Sequence, residues 1–191
     1  MRTFTFSIYT LLFFCSSFGQ TKSEIVFQAK IENRNWDYLY IKDADYNTIQ
    51  IIDVDTNGLF KATLNIQDGM YLLFDGVEYF KIYLKKGYNL QLTMNTNNFR
   101  ESIVFTGIGA EENNYLAKES IFEVNYNYGI LSNAKTPKKT QKLIEEKEKT
   151  CIQMLKTNTS FDKTFVDLEI GFYKNHSEEL KKYYGELREM N

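Results

Sequence analysis

The chain has little of the side-chain chemistry on which most small enzymes and metal proteins depend. Its 191 residues include two cysteines, one histidine, one tryptophan and one proline. No Cys-x-x-Cys pair is present, and His176 has no cysteine or acidic residue at the spacing of a zinc motif. A nucleophile elbow of the Gly-x-Ser-x-Gly form is also missing. We therefore expect no catalytic residue, no metal ligand and no cofactor.

Flexible linkers and long apolar runs are missing as well. One proline, no low-complexity tract and no Gly/Ser-rich stretch argue against a flexible join between two independent domains. The longest apolar run, at residues 4–14, is shorter than the roughly 20 apolar residues that a membrane-spanning helix needs. We expect no transmembrane segment.

Residues 1–20 have the layout of a secretory signal peptide. Arg2 precedes the apolar run, small residues follow it, and we expect cleavage directly before or after Gln20. Lipid attachment at Cys15 is not favoured, because two phenylalanines precede it where small residues are required. The prediction is therefore a periplasmic or secreted protein.

Charge and cysteine content restrict the partners further. The formal net charge is −2, and it becomes −3 when Arg2 leaves with the signal peptide. Such a balance gives no general attraction to nucleic acid or to an anionic membrane. After cleavage Cys151 is the only cysteine, so no intrachain disulfide can form. A mature chain of roughly 170 residues can still bury a core of its own.

Apolar residues alternate along residues 24–105, which is typical of strands with one buried face. The alternating sets are Ile25, Phe27, Ala29 and Ile31; Trp36, Tyr38 and Tyr40; and Phe60, Ala62, Leu64 and Ile66. Turn residues separate these runs, as at Asn57-Gly58, Asp68-Gly69 and Lys86-Gly87. Seven or eight such short strands leave no room for crossover helices. They predict an antiparallel β-sandwich or open barrel at residues 21–107, in a chain of the α+β class.

Aromatic residues are frequent in these strands, since the chain has 14 tyrosines and 15 phenylalanines. Their rings could stack on a peptide or a glycan at the sheet surface. Aromatic residues are also ordinary strand formers and core residues. We favour core packing and keep the ligand-binding face as an alternative.

Helical spacing replaces the alternation after Phe105 and predicts about three helices in residues 108–191. The residues that recur at this spacing are Tyr115, Glu119, Phe122 and Tyr126; Ile144, Cys151 and Leu155; and Phe161, Phe165, Leu168, Phe172, Leu180, Tyr184 and Leu187. Thr136-Pro137 predicts the start of the second helix, and Ser160-Phe161-Asp162 that of the third. The mixed charges of residues 145–149 indicate a solvated helix face.

Two motif-like segments have simpler interpretations. Residues 53–58 match the opening of a calcium loop, but Leu64 stands where a bidentate glutamate is required, so a hairpin turn is favoured. Gly107-Ile108-Gly109 has Glu112 in place of the third glycine of a dinucleotide loop, which favours a corner between strand and helix. Cys151 lies on an apolar helix stripe, where a thiol is inert.

Residues 24–190 resemble the N-terminal accessory region of exported thioredoxin-like (TlpA-type) thiol-disulfide oxidoreductases of Bacteroidetes-type bacteria. The matching segments are Gly58-Leu59-Phe60, Gly69-Met70-Tyr71-Leu72-Leu73, Ile82-Tyr83-Leu84-Lys85-Lys86-Gly87, and the junction from Phe105-Thr106-Gly107 to Asn113-Asn114-Tyr115-Leu116. In that family a β module and a few helices precede a thioredoxin fold with a Trp-Cys-x-x-Cys site, which this sequence does not contain.

The resemblance implies a non-catalytic accessory domain that positions a redox domain, dimerises or binds a partner. The implied partner is a thioredoxin-fold protein or domain, or a second copy of the chain. The alternative function is that of a free-standing exported protein that binds a peptide or a glycan on its sheet.

Overall fold

The computed structural model describes residues 24–189, except for the side chains of residue 128 and residues 186–189. The predicted signal peptide lies outside the described residues. Within them, eight strands form two four-stranded sheets, and the long helices follow the strands. The predicted α+β class is confirmed, and the two sheets form an open sandwich, not a closed barrel.

The elements have the following bounds. The strands are β1 (Ile25–Glu32), β2 (Tyr38–Lys42), β3 (Thr48–Asp53), β4 (Leu59–Leu64), β5 (Gly69–Phe74), β6 (Tyr79–Leu84), β7 (Asn89–Asn95) and β8 (Val104–Ile108). The helices are α1 (Phe99–Ser102), α2 (Ala110–Val124), α3 (Pro137–Thr157) and α4 (Lys163–Glu189). A 3₁₀ turn precedes α1, and a π-helical segment, Asn125–Leu131, follows α2.

Sheet A has the strand order β4-β1-β7-β8, and sheet B has the order β3-β2-β5-β6. All strand pairs within these sheets are antiparallel except β1 and β7, which run parallel. A parallel pair needs a long connection between its strands. Here β4 and all four strands of sheet B lie between β1 and β7 and make that connection. This pair departs from the predicted antiparallel pattern.

The core lies between the two sheets. Ile25, Phe27, Ala29 and Ile31 on β1 are buried as the alternation predicts. On β2 the expectation is wrong, because Leu39 and Ile41 enter the core while Tyr38 and Tyr40 lie on the outer face. Both alternating sets of β2 contain large apolar or aromatic side chains, and the set with Lys42 is the outer one.

Two successive asparagines of α2 join the sheets. The Asn113 Oδ1 atom accepts a hydrogen bond from the Tyr83 amide on β6 at 2.8 Å, and its Nδ2 donates to the Tyr83 carbonyl at 2.9 Å. Asn114 makes the same pair of bonds with Phe105 on β8, both at 2.8 Å. Each carboxamide takes the place of a neighbouring strand at a sheet edge.

Two glycines form the corner that leads into α2, as predicted. Gly107 and Gly109 have φ values of +92° and +93°. A Cβ atom at Gly109 would lie 2.1 Å from the ring of Tyr88, and one at Gly107 would lie 2.1 Å from the carbonyl oxygen of Asn89. Only glycine fits this corner, which sets the direction in which the helix leaves β8.

The predicted helix starts are confirmed. Thr136 Oγ1 accepts a hydrogen bond from the Lys139 amide at 3.2 Å, with Pro137 in the first turn of α3. Asp162 Oδ1 accepts from the amides of Thr164 and Phe165 at the start of α4, at 3.1 and 3.3 Å. Side-chain caps of this kind satisfy amides that have no partner inside the helix.

The buried face of α4 differs from the predicted stripe. Phe165, Glu169 and Tyr173 are buried, whereas Leu168 is 41% exposed. Glu169 turns inward because it pairs with Lys81 on β6.

On α3 the predicted stripe of Ile144, Cys151 and Leu155 is buried, as expected. Lys147, within the charged run of residues 145–149, is also buried, so the expectation of a fully solvated face is wrong at this residue.

The helices cover only part of the outer face of sheet B. Tyr83 lies on that face and contacts Phe165, with ring centres 5.3 Å apart, and its hydroxyl donates to Asp162 at 2.8 Å. Lys81, two residues earlier on β6, contacts α2 and α4. Tyr79, at the start of the same strand, is 38% exposed. The covered region therefore ends between Lys81 and Tyr79.

Replacing each asparagine tests how much its hydrogen bonds to the sheet edge contribute to stability. Asn113→Ala should lower the free energy of unfolding by about 2 kcal/mol, because the Tyr83 amide and carbonyl would remain buried without partners. Asn114→Ala should cost about half as much, since Asn114 is only partly buried. Urea denaturation measures both values. If the free energy of unfolding changed by less than the measurement error in both variants, these hydrogen bonds would not be what joins α2 to the sheets.

Candidate functional site

The outer faces of the two sheets differ in chemistry. A row of paired residues across sheet A consists of Lys61, Gln28, Gln91 and Thr106. The matching row across sheet B consists of Ile51, Tyr40, Phe74 and Tyr79. The first row is typical of a solvated sheet face, and the second is not. The outer face of sheet B is therefore the candidate site.

Six aromatic residues form a continuous surface there, which we call the aromatic face: Trp36, Tyr38, Tyr40, Tyr46, Phe74 and Tyr79. Phe74 and Tyr79 are stacked, with ring centres 4.2 Å apart and planes 16° apart. Tyr38 meets Tyr40 edge to face at 5.3 Å, and Trp36 lies 5.0 Å from Tyr38. Tyr46 lies 5.5 Å from Tyr79. These rings remain accessible, with Tyr46 60% and Trp36 40% exposed.

The preference for core packing was thus only partly right. Phe27, Phe60 and Phe80 are buried in the core as expected. The six residues of the aromatic face are not, and their exposure could not be derived from composition or period. Side chains of this size normally turn inward because their burial is favourable, so a contiguous exposed group indicates a binding surface.

Trp36 is held in place by the turn between β5 and β6. A Cβ atom at Gly76 would lie 2.5 Å from the indole ring, so the ring packs directly on the turn backbone. Asp75 fixes this turn by accepting hydrogen bonds from the amides of Val77 and Glu78 and, at 2.8 Å, from Asn35 Nδ2. The indole is therefore positioned before any ligand arrives, which reduces the entropy lost on binding.

Charged groups border the aromatic face. Lys42 Nζ lies 5.5 Å from the ring centre of Tyr40 and donates to the Tyr46 carbonyl and to Thr48 Oγ1, both at 3.1 Å. Asp53 stands opposite Tyr38, and its carboxylate is exposed and makes no hydrogen bond or ion pair with the other described residues. One end of the face is therefore cationic and the other anionic.

A buried charge cluster lies beside this face, under the helices. Lys81 Nζ is 2.8 Å from Glu119 Oε2 and 3.3 Å from Glu169 Oε2, and it is 3.8 Å from the ring centre of Phe172. The single ammonium group of Lys81 thus forms ion pairs with two carboxylates. Burial raises the pKa of Glu169 to about 7, although the ammonium of Lys81 opposes this shift. This cluster anchors α2 and α4 to β6.

Lys147, Glu123 and His176 form a second group between the helices. Lys147 pairs with Glu123 at 2.5 Å, and His176 Nε2 lies 3.6 Å from the same carboxylate. Burial raises the pKa of Glu123, but hydrogen bonds from His176 and Lys147 outweigh it and leave that pKa below its usual value. The imidazole also stacks on Phe172 at 5.4 Å. His176 on α4 is therefore partly buried against Glu123 of α2.

Cys151 occupies the predicted inward position. It is 1% exposed, and burial raises the pKa of its thiol to about 11, with the charge of Glu123 adding to the effect. A thiol in this setting is almost entirely protonated at neutral pH.

Among residues 24–189, no group of three or more His, Cys, Asp and Glu side chains could hold a metal ion. No helix in that range is long and apolar enough to cross a bilayer.

Comparisons with protein-family models, with curated proteins and with solved structures find no match for this chain. The resemblance to the accessory region of TlpA-type oxidoreductases therefore stays a prediction.

Glu169 should make stability depend on pH. Its pKa is about 7 in the folded chain and near 4.5 in the unfolded chain, so the folded state binds the extra proton between these values. Stability should therefore fall by roughly 2 to 3 kcal/mol as pH rises from 4.5 to 7. Glu169→Gln should remove this slope, whereas Glu179→Gln on the exposed side of α4 should not. Urea denaturation of each variant at pH 5 and 7.5 measures the slope, and identical slopes in all variants would refute this assignment.

Cys151 should resist alkylation in the folded chain. Iodoacetamide at pH 8 should modify it at least about a hundredfold more slowly than in urea, because the reactive thiolate is scarce and buried. Peptide mapping by mass spectrometry gives both rates for this residue. Equal rates with and without urea would show that the thiol is accessible.

Proposed function

We propose that this chain is a non-catalytic accessory module of an exported thiol-disulfide oxidoreductase system, and that it holds a thioredoxin-fold protein or domain against its aromatic face. One observation supports the binding role above all others. The Ile51, Tyr40, Phe74 and Tyr79 row lies on the outer face of sheet B, with Ile51 and Tyr79 exposed, while the corresponding row of sheet A is polar.

The aromatic face has the composition of a protein-binding surface. Tryptophan and tyrosine are enriched among the residues that dominate binding energy, because each combines a large apolar ring with one polar group. Here the rings are mutually packed, and Trp36 is fixed on the turn at Gly76. A surface that is already ordered loses little entropy when a partner covers it.

The class of partner follows from the resemblance and from the position of Cys151. A redox-active thiol must be accessible and ionisable, whereas Cys151 is buried and has a raised pKa. Thiol chemistry in such a system would have to come from another domain. The accessory regions that residues 24–190 resemble stand next to a thioredoxin fold with a Trp-Cys-x-x-Cys site.

Replacing rings of the aromatic face tests this function. Tyr40→Ser and Tyr79→Ser should each weaken binding of a purified TlpA-type thioredoxin domain about tenfold or more, because each removes a large contact surface. Gln91→Ser, in the polar row of sheet A, is the matched control and should leave the affinity unchanged. Calorimetric titration measures the affinities, and the melting temperatures should change by no more than about 4 °C.

The result can contradict the proposal in two ways. If the thioredoxin domain does not bind, or binds all three variants equally, the aromatic face is not its binding site. If sedimentation instead shows a dimer of the chain that Tyr40→Ser and Tyr79→Ser dissociate, the occupant of the face is a second copy and the assignment to a redox partner fails.

A further inference from the structure

The charges of this chain are not evenly distributed along it. Residues 124–144 contain four lysines and no acidic residue. These lysines, which we call the basic patch, are Lys135, Lys138, Lys139 and Lys142. All four are exposed, around the start of α3. The near balance of charge over the whole chain therefore does not hold locally.

Helix geometry places the lysines of the basic patch side by side. Lys138 and Lys142 are four residues apart, and Lys139 and Lys142 are three apart, so their side chains are neighbours on one face of α3 and repel one another. Within the described part of the chain, Lys142 pairs with Glu146 at 3.5 Å, and the other three lysines form no ion pair. Most of the positive charge of the patch is therefore not compensated.

The position of these lysines is unfavourable for the helix itself. Lys138 and Lys139 lie in the first turn of α3, next to the positive end of the helix dipole, and no acidic residue lies in that turn. The first turn of α2, by contrast, carries Glu111 and Glu112. The basic patch therefore does not stabilise α3, and an anionic partner would relieve the repulsion among its charges.

The neighbouring end of α4 does not cancel this charge. Lys181 lines the same shallow groove as Pro137, and it pairs with Glu178 at 2.8 Å. The remaining charged residues of the two helix segments are of both signs: Glu145, Glu148 and Lys149 on α3, and Glu179, Lys182, Glu186, Arg188 and Glu189 on α4. The positive excess is therefore concentrated in the basic patch.

An apolar side chain lies beside the basic patch. Ile130 is 45% exposed, five residues before Lys135. The turn between them is compact, because Asn133 Nδ2 donates a hydrogen bond to the Gly129 carbonyl at 2.8 Å. Lysines next to an exposed aliphatic side chain are typical of surfaces that lie on a membrane.

We propose that the basic patch binds the chain to the surface of an anionic phospholipid bilayer. The lysines contact the headgroup phosphates, and Ile130 enters the boundary between headgroups and acyl chains. Such a contact is peripheral and needs no membrane-spanning helix. Nucleic acid would also attract lysines, but it gives no role to an exposed isoleucine, and an exported chain meets lipid surfaces. This inference goes beyond the proposed function and does not use the aromatic face.

Co-sedimentation with lipid vesicles tests the proposal. At low salt the chain should bind vesicles of phosphatidylglycerol and phosphatidylcholine in equal parts, and it should not bind vesicles of phosphatidylcholine alone. Salt at about 0.5 M should release it, because the charges are exposed and screened. Lys138→Gln, Lys139→Gln and Lys142→Gln combined should weaken binding about tenfold or more. Ile130→Ser should weaken it about fivefold.

A second triple variant is the matched control for charge. Lys149→Gln, Lys156→Gln and Lys174→Gln remove the same charge from exposed positions farther along α3 and α4, and binding should stay nearly unchanged. All of the substituted residues are exposed, so the melting temperatures of the variants should stay close to that of the parent chain.

Several outcomes would overturn the inference. Equal binding to anionic and neutral vesicles would exclude an electrostatic contact, and equal losses in the two triple variants would exclude the basic patch as its location. Unchanged binding of Ile130→Ser would exclude the insertion of this side chain. Loss of vesicle binding in Tyr40→Ser would assign the membrane contact to the aromatic face. Binding of duplex DNA with the same lysine dependence, without binding of vesicles, would make nucleic acid the occupant.

Discussion

Two carboxamides at the start of α2 determine how the two halves of this chain fit together. Asn113 and Asn114 each saturate one residue of an edge strand, one strand in each sheet. This fixes the helix against the side of the sandwich that the edge strands β6 and β8 form. Glu119 then lies above Lys81, and α4 brings Glu169 to the same ammonium group. The helices are thereby confined to one part of sheet B, and the aromatic face is the part that they leave uncovered.

Local features of this fold could be predicted from the sequence, and features that depend on distant contacts could not. Helix caps at Thr136 and Asp162 and the glycine corner before α2 follow from short-range chemistry, and all of them are present. The inversion of β2 does not follow from alternation alone, because large apolar or aromatic side chains lie on both of its faces. The inward turn of Glu169 depends on a lysine almost ninety residues earlier in the chain. The outer position of Tyr38 and Tyr40 has the same cause, since alternation indicates that one set is buried but not which set.

The buried charges and the aromatic face have different effects on the molecule. Ion pairs such as Lys81 with Glu119 and Glu169 cost much of their attraction in lost hydration, so they contribute more to the placement of helices than to overall stability. The exposed rings have the opposite effect. Their apolar surface stays in contact with water, and its burial by a ligand would be favourable. The helices are held in place by buried ion pairs, and the exposed aromatic face lies next to them. Such an arrangement is suited to holding another molecule in a fixed orientation.

The parallel pair of β1 and β7 has a consequence for how the chain folds. β1 lies in the middle of sheet A, and its two neighbours begin only at Leu59 and Asn89. The ladders on both sides of β1 therefore cannot be complete until the chain is available as far as Asn95. Topologies with such distant pairings fold slowly, over milliseconds to seconds, because the entropy of a long loop is lost before its contacts form. During that interval the alternating Ile25, Phe27 and Ile31 of β1 are not yet buried, and unpaired apolar strands of this kind are prone to aggregation.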